Sequence, residues 1–447
     1  MTQRTLLRIH LTLTERWGVG GVADPWSQVP QPVLVDPRRE VPGGGQTAYL
    51  PMTSLAGSLA AHLGKDAEYW LGPRPAGREE KPKEATPPRA SKLALWGCVG
   101  SDASAVSQRG STAIDGRRGA ATGNTFRDEQ WAAPVGIVVL GGHDGPIRDD
   151  LLDTLAQWRP FVGRARSSGM GTAAVTLVEA MALDLTKDLE LGWWLTERPA
   201  WLGSGAAAPA WATVETRLGW DGEASLAAAT EFVWEVCEPV HVGDGLFEGA
   251  PGSGGVAKAV SSAGTMFVPG SSWKGVFRHR VEAILCVAGA DERTTSQITG
   301  HLFGDLKHGR GLLWFGDSQA ETSTALIRTH VAIDRFTGGA REGALYQIES
   351  MPTRQKLTLR IRPPRESLPG AVDTLIRHVV RDLHDGLVGL GGNGSRGYGT
   401  LRLESPAIVA ELEPVKLEDL LAGLSANAAP SPASRRVADD AAGMEQP

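Results

Sequence analysis

Cysteine is scarce. Only Cys98, Cys237 and Cys286 occur in 447 residues, far apart and with no C-x-x-C pair, so neither a disulfide framework nor a thiolate zinc site is supported. A reducing, cytoplasmic setting is the expectation. Long apolar runs are missing too: none approaches the ~20 residues of a membrane span, and the opening MTQRTLLRIHLTLT alternates as a strand does instead of showing the apolar block of a signal peptide. No membrane partner is expected. Excess positive charge is also absent. The formal charge is −6, and because seven acids stand against three bases from Glu411 onward, four of those six charges belong to the C-terminal stretch. The rest of the chain is near neutral. It can carry a basic groove but would not hold free nucleic acid through bulk charge.

With 41% hydrophobic residues the chain can bury a substantial core, and its length suits two domains better than one. Glycine is plentiful. The stretch GLGGNGSRGYGTL (389–401) sets six glycines in thirteen positions around one cation, Arg396. Such bare backbone lets successive N–H groups converge on an anion. The nucleotide cradles do not fit, because a P-loop opens a helix and a dinucleotide fingerprint lies between a strand and a helix. Here a helical run (Leu375, Ile376, Val379, Val380, Leu383, Leu387) comes before the glycines, and a strand-like Thr400-Leu401-Arg402-Leu403 follows.

The chain also contains itself twice. LPMTSLAGSL (50–59) aligns with VPGSSWKGVF (268–277) and LALWG (93–97) with GLLWF (311–315), both at an offset of 218. AIDGRRGAA (113–121) meets AIDRFTGGA (332–340) at 219, and VGRARSSGMGT (162–172) meets LGGNGSRGYGT (390–400) at 228. Four blocks in one order indicate tandem duplication of a unit of roughly 200 residues.

Each unit reads the same way. An alternating strand (Leu7, Ile9, Leu11, Leu13) and a Gly/Pro loop lead to a short amphipathic helix, with Ser54 or Ser272 at the N-cap position. Then come strands (Leu93–Val99, Val135–Leu140; in unit two Leu312–Phe315 and Leu357, Leu359, Ile361), a second helix (Leu151, Leu152, Leu155, Trp158; Leu375–Leu387), the glycine loop and a closing strand. The fold class is α+β: two tandem ferredoxin-like, split-βαβ (RRM-like) domains with long loop insertions. The expected layout is a first domain over 1–200, a linker over 201–225, a second domain over 226–412 and a largely disordered acidic tail over 413–447, in which KLEDLLAGL can form one short helix. Residues 73–92, with five prolines, read as a solvated insertion. The repeat-equivalent Trp96 and Trp314 read most simply as core.

These blocks resemble the RAMP superfamily, and specifically the backbone subunits of type III CRISPR effector complexes. The resemblance is carried by the Pro-Gly-Ser-Ser-x-Lys-Gly helix start (269–275), LFGD (302–305), AIDRFTGGAREGALYQIE (332–349) and the loop with Gly394, Ser395, Arg396, Gly397, Tyr398 and Gly399. Unit one departs from the pattern, with Ala56 for Lys274, Met52 for Gly270 and Ser168 for Arg396. Two such units in one chain resemble the fused pair of type III-D-like complexes. The resemblance implies a ribonucleoprotein that holds guide (CRISPR) RNA, pairs it with single-stranded target RNA and works with other CRISPR effector subunits. It also implies thumb-like hairpins after each Ala-Ile-Asp that separate the duplex into short segments.

The residue chemistry agrees in part. Arg396 offers a fork of donors to phosphate, and Ser271, Ser272 and Lys274 at a helix start suit an anion. Arg278, Arg335, Gly394, Ser395 and Tyr398 complete the RNA-binding candidates in unit two, and Ser54, Arg117, Arg164 and Arg166 stand for unit one. The plainer alternatives are a tight turn for the glycines and an N-cap for the serines. Asp115 and Asp334 read as local backbone caps. The resemblance implies metal-assisted attack of a ribose 2′-OH on the adjacent phosphate, with Mg²⁺ or a similar divalent ion and an Asp in the loop between first strand and first helix. Asp24 and Asp244 are the candidates, Asp36 is read as structural, and Ala257-Lys258 falls where the family's cleaving Asp would stand in unit two. Three functions stay open: an endoribonuclease within the complex, a non-catalytic RNA scaffold, and a ferredoxin-like metabolic protein unrelated to RNA.

Overall fold

The computed structural model describes residues 3–21, 32–35, 47–73, 90–100, 105–115, 120–123, 125–165, 167–219, 230–249, 255–262, 264–362 and 368–427. Helix and strand are mixed in two compact units: one comprises 1–113, 123–229 and 244–246, the other 114–122, 230–243 and 247–447. Among the described residues no helix is long and apolar enough to cross a membrane.

In the first unit the alternation at the N-terminus becomes the strand Gln3–Leu13, whose Leu7, Ile9, Leu11 and Leu13 face the core. The helix Met52–Leu63 follows, with Leu55, Leu59 and Leu63 buried on one stripe and Gly64 ending it. Ser54 does not cap it. Pro51 is the N-cap residue, and the Ser54 amide donates to the Pro51 carbonyl at 3.0 Å. Proline has no N–H to satisfy and sits extended here, so the first turn closes on its carbonyl. The sheet runs in the order Leu93–Val99, Val135–Asp144, Gln3–Leu13, Ala173–Asp184, Val214–Leu218, every neighbour antiparallel. Counted by position in the unit, the first four are second, third, first, fourth.

Two expectations for this unit give way. Part of the stretch read as a linker, 201–225, holds the fifth strand Val214–Leu218 and the end of a helix, Arg198–Ser204. Trp193, Trp201 and Leu202 of this region pack with Leu6, Met181 and Leu183 into a second, smaller core. The sequence hides this because its apolar residues are spread over short elements with no sustained period. Trp96, expected in the core, is 48% exposed. The strand register shifts between Leu95 and Gly97, which lifts Trp96 out of the ladder. Its ring lies where a side chain on Gly142 would stand, 2.8 Å from that missing Cβ.

The second unit repeats the sheet order: Trp314–Phe315, Lys356–Arg362, Thr230–Val236, Leu401–Leu403, again antiparallel throughout. The helix Gly270–Val287 buries Trp273, Phe277, Val281 and Leu285, and Gly370–His384 buries Leu375, Val379 and Leu383 in the same core. Its N-cap is Pro269, so Ser272, like Ser54, lies inside the first turn. Trp314, unlike its counterpart Trp96, is buried. Residues Leu417–Asn427, which include most of the KLEDLLAGL stretch read as one short helix, form a helix whose Leu420 and Leu424 enter this core. The remainder, 428–447, and most of the proline-rich insertion, 74–89, lie outside the described residues. A long hairpin, Leu326–Ile333 with Ala340–Ser350, stands between the second and third strands of the unit. We call it the arm.

Candidate nucleic-acid interface

The two glycine loops are built alike, bond for bond. In unit two Leu390 donates to the Gly399 carbonyl (2.9 Å), Gly399 to Pro239 (2.9 Å), Gly392 to His241 (2.8 Å) and Arg396 to Asn393 (2.8 Å). In unit one Val162 donates to Gly171 (2.8 Å), Gly171 to Arg16 (2.7 Å), Arg164 to Gly18 (3.1 Å) and Ser168 to Ala165 (2.9 Å). Positive φ recurs at matched places, including the two non-glycines Asn393 (64°) and Ala165 (53°). Gly399 and Gly171 cannot carry a side chain: a Cβ would lie 2.4 Å from the Leu390 carbonyl oxygen and 2.0 Å from that of Val162. Much of the glycine is therefore demanded by the turn itself. Gly394 is different, because a Cβ there would meet nothing within 4 Å. It opens the exposed 3-10 turn Gly394–Arg396, which presents Gly394, Ser395 and Arg396 to solvent.

Arg396 is fixed by its own neighbours. Its Nη1 donates to the Tyr346 hydroxyl (2.8 Å) and to Asn393 Oδ1 (3.2 Å). Tyr398, expected to touch RNA, is buried instead. Its hydroxyl bonds His330 Nε2 at 2.7 Å, and burial pushes its pKa up. The counterpart of Tyr398 in unit one is Met170, also buried, so this position is a core position in both units. The sequence could not separate a tyrosine that points into the arm from one that faces a ligand.

The helix start at 269–275 holds a surprise for the anion reading. The Gly270 amide donates to Asp317 Oδ1 at 2.7 Å, so the chain's own carboxylate takes the first N–H. Asp317 gave no sequence signal, because it reaches the helix only through the fold of the second strand. Beyond that point the charge is positive. Lys274 is half-buried, and desolvation, with Arg278 and Arg310 beside it, pushes its pKa down to about 8. Arg278 is partly engaged by the Gly304 carbonyl (3.4 Å) and by Glu282 (3.6 Å). Arg310 stands on Gly309–Arg310, paired with Gly304–Asp305 of the LFGD stretch. Three cations thus gather behind the first turn.

Residues 235–402 match the family model of the RAMP superfamily. This stretch is a RAMP domain. It runs from the first strand of the second unit to its last and includes the glycine loop, the helix start and the arm. Such a domain implies a CRISPR-associated RNA-binding role. No curated protein matches the chain.

Within the RAMP domain Asp334 does what a turn residue does. Its Oδ1 accepts from the amides of Phe336 (2.9 Å) and Thr337 (2.8 Å) at the tip of the arm, and these bonds hold its carboxyl below the usual range. Arg335 beside it is exposed, and Phe336 is 95% exposed. Asp244, in Gly243–Glu248, is half-buried and not free. Lys258, where a cleaving Asp was expected, reaches Glu349 (3.1 Å) and Glu248 (3.4 Å). Glu349 also takes the Ala259 amide at 2.9 Å. Among the described residues no group of three or more His, Cys, Asp or Glu could hold a metal ion.

In the first unit Arg164 is spent internally, donating to the carbonyls of Pro32 (3.4 Å) and Gln130. Desolvation lowers its pKa. Ser54 is half-buried within its helix. Asp24, Asp36, Arg117 and Arg166 lie outside the described residues, as does the side chain of Asp115.

Proposed function

We propose that the chain is a backbone subunit of a CRISPR RNA-guided ribonucleoprotein, made of two ferredoxin-like RAMP units in tandem as in type III-D-like complexes. It holds guide RNA and the guide–target duplex together with other effector subunits. The observation that carries this reading is the exposed Gly394–Ser395–Arg396 turn, bare where no internal contact demands glycine and armed with a guanidinium. A phosphodiester can approach such backbone closely. The matched hydrogen bonds of the two loops and the shared sheet order support the tandem reading.

Cleavage belongs to the first unit in this proposal, with Asp24 as the cutting carboxylate and the scaffold holding the 2′-OH in line with its phosphate. The second unit holds without cutting. The Lys258 ammonium lies against both Glu349 and Glu248 and disfavours a divalent ion between these two carboxylates. In a complex assembled with guide RNA, Asp24→Ala abolishes target cutting at the position covered by unit one, and Asp244→Ala leaves cutting in place. Cutting by the double variant at the wild-type rate would exclude both as catalysts and favour a pure scaffold. If the complete chain with its companion subunits fails to shift single-stranded RNA at low salt, the RNA-unrelated reading gains.

A further inference from the structure

The glycine loop of unit two is tied to the arm by a ladder of rings and cations that no motif in the sequence marks. His330, on the arm strand Leu326–Ile333, stacks on Tyr346 of the opposite arm strand, with centroids 5.3 Å apart and planes 16° apart. It also bonds the buried Tyr398 hydroxyl of the glycine loop at 2.7 Å. A guanidinium lies at each end. Arg396 stands 5.6 Å from the Tyr346 centroid and donates to its hydroxyl, and Arg328 stands 5.5 Å from the Tyr398 centroid and donates to the Gly397 carbonyl at 3.5 Å. Both arginines are exposed, and among the described residues neither pairs with a carboxylate.

We propose that Arg328 and Arg396 form one two-cation seat for consecutive phosphates of a single RNA strand, with the Tyr346–His330–Tyr398 ladder fixing their spacing. Arg328 is then a phosphate-binding residue, and His330 and Tyr398 are positioning residues acting through it. The argument is physical. Both guanidiniums are held at the glycine loop with no carboxylate beside them among the described residues, and a fold keeps exposed cations in place by anchoring each side chain. Here each is anchored over a ring face, Arg328 by one polar contact and Arg396 Nη1 by two, which leaves the remaining donors to solvent. In unit one Ser168 and Met170 stand where Arg396 and Tyr398 do, so the matched positions supply neither the guanidinium nor the ring. The two units therefore grip the RNA backbone unequally.

This inference rests on the RNA reading above, and the test separates the two. Binding of fluorescein-labelled single-stranded RNA to the complete chain is followed by anisotropy over a salt series. Arg328→Ala is expected to weaken affinity about tenfold and to flatten the salt slope by about 0.7, the share of one phosphate on a single strand. Arg328→Lys restores part of both. Tyr398→Phe, which cuts the link to His330 and keeps the ring, weakens the wild type about threefold and has no further effect in the Arg328→Ala chain. If Arg328→Ala matches the wild type in affinity and slope while Arg396→Ala weakens binding, the seat is wrong and the RNA reading stands. Additive losses for Tyr398→Phe and Arg328→Ala would overturn the positioning role. Absence of RNA binding by the wild type would overturn both.

Discussion

Gly394 and Gly399 share one loop and are glycine for different reasons. At Gly399, with φ of 89° and a carbonyl 2.4 Å from any Cβ, alanine must strain the backbone and push the loop open. Gly399→Ala is expected to cost roughly 2–3 kcal/mol in urea unfolding. Gly394→Ala should change stability by no more than about 0.5 kcal/mol while weakening RNA binding, because its open side is where backbone would approach. Lys274 adds a pH test. Its folded pKa of about 8 lies below the ordinary lysine value, so the unfolded chain binds more protons between the two. Stability therefore rises as pH climbs from about 8 towards about 10, and Lys274→Met removes that rise. A phosphate beside the ammonium pulls its pKa back up. RNA affinity is accordingly full below about pH 8 and falls above it, as anisotropy titrations across that range would register; the fall is smaller in Lys274→Met.

At the scale of elements, the arm is a hairpin whose end is closed by one carboxylate. Asp334 takes amides from Thr337 and Phe336, which keeps its pKa low. This contribution is present above the usual carboxylate range and lost as pH falls through the lowered value. In Asp334→Ala, hydrogen exchange at the Phe336 and Thr337 amides should quicken while the thermal midpoint of the core stays in place. The helices were legible in advance, since Leu55, Leu59 and Leu63, or Trp273, Phe277 and Val281, recur at helical spacing. Their starts were not, because a serine in the first turn signals a cap from composition alone, and the preceding proline's carbonyl closed the turn instead. The exposure of Trp96 is hidden from the sequence for a related reason. A register shift in a strand leaves no trace in hydrophobic pattern.

For the whole molecule the decisive feature is one main core in each unit, both built under one sheet order. The first is centred on Leu11, Val139 and Trp158, the second on Trp234, Phe277 and Leu375. Phe277→Ala leaves a cavity in the second and is expected to cost about 3–5 kcal/mol there. Calorimetry of the complete chain should show one transition lowered and the other unmoved. A single transition shifted as a block would mean that the units unfold as one. The sequence by itself marked the amphipathic helices, the alternating first strand and the twin glycine loops, because periodicity and turn-forming glycines act over a few neighbouring residues. Only the tertiary structure decided that Asp317 takes the helix start, that Tyr398 is buried and that Arg328 reaches the glycine loop at the Gly397 carbonyl. Those residues meet across long stretches of chain through sheet register and crossover, which no local pattern records.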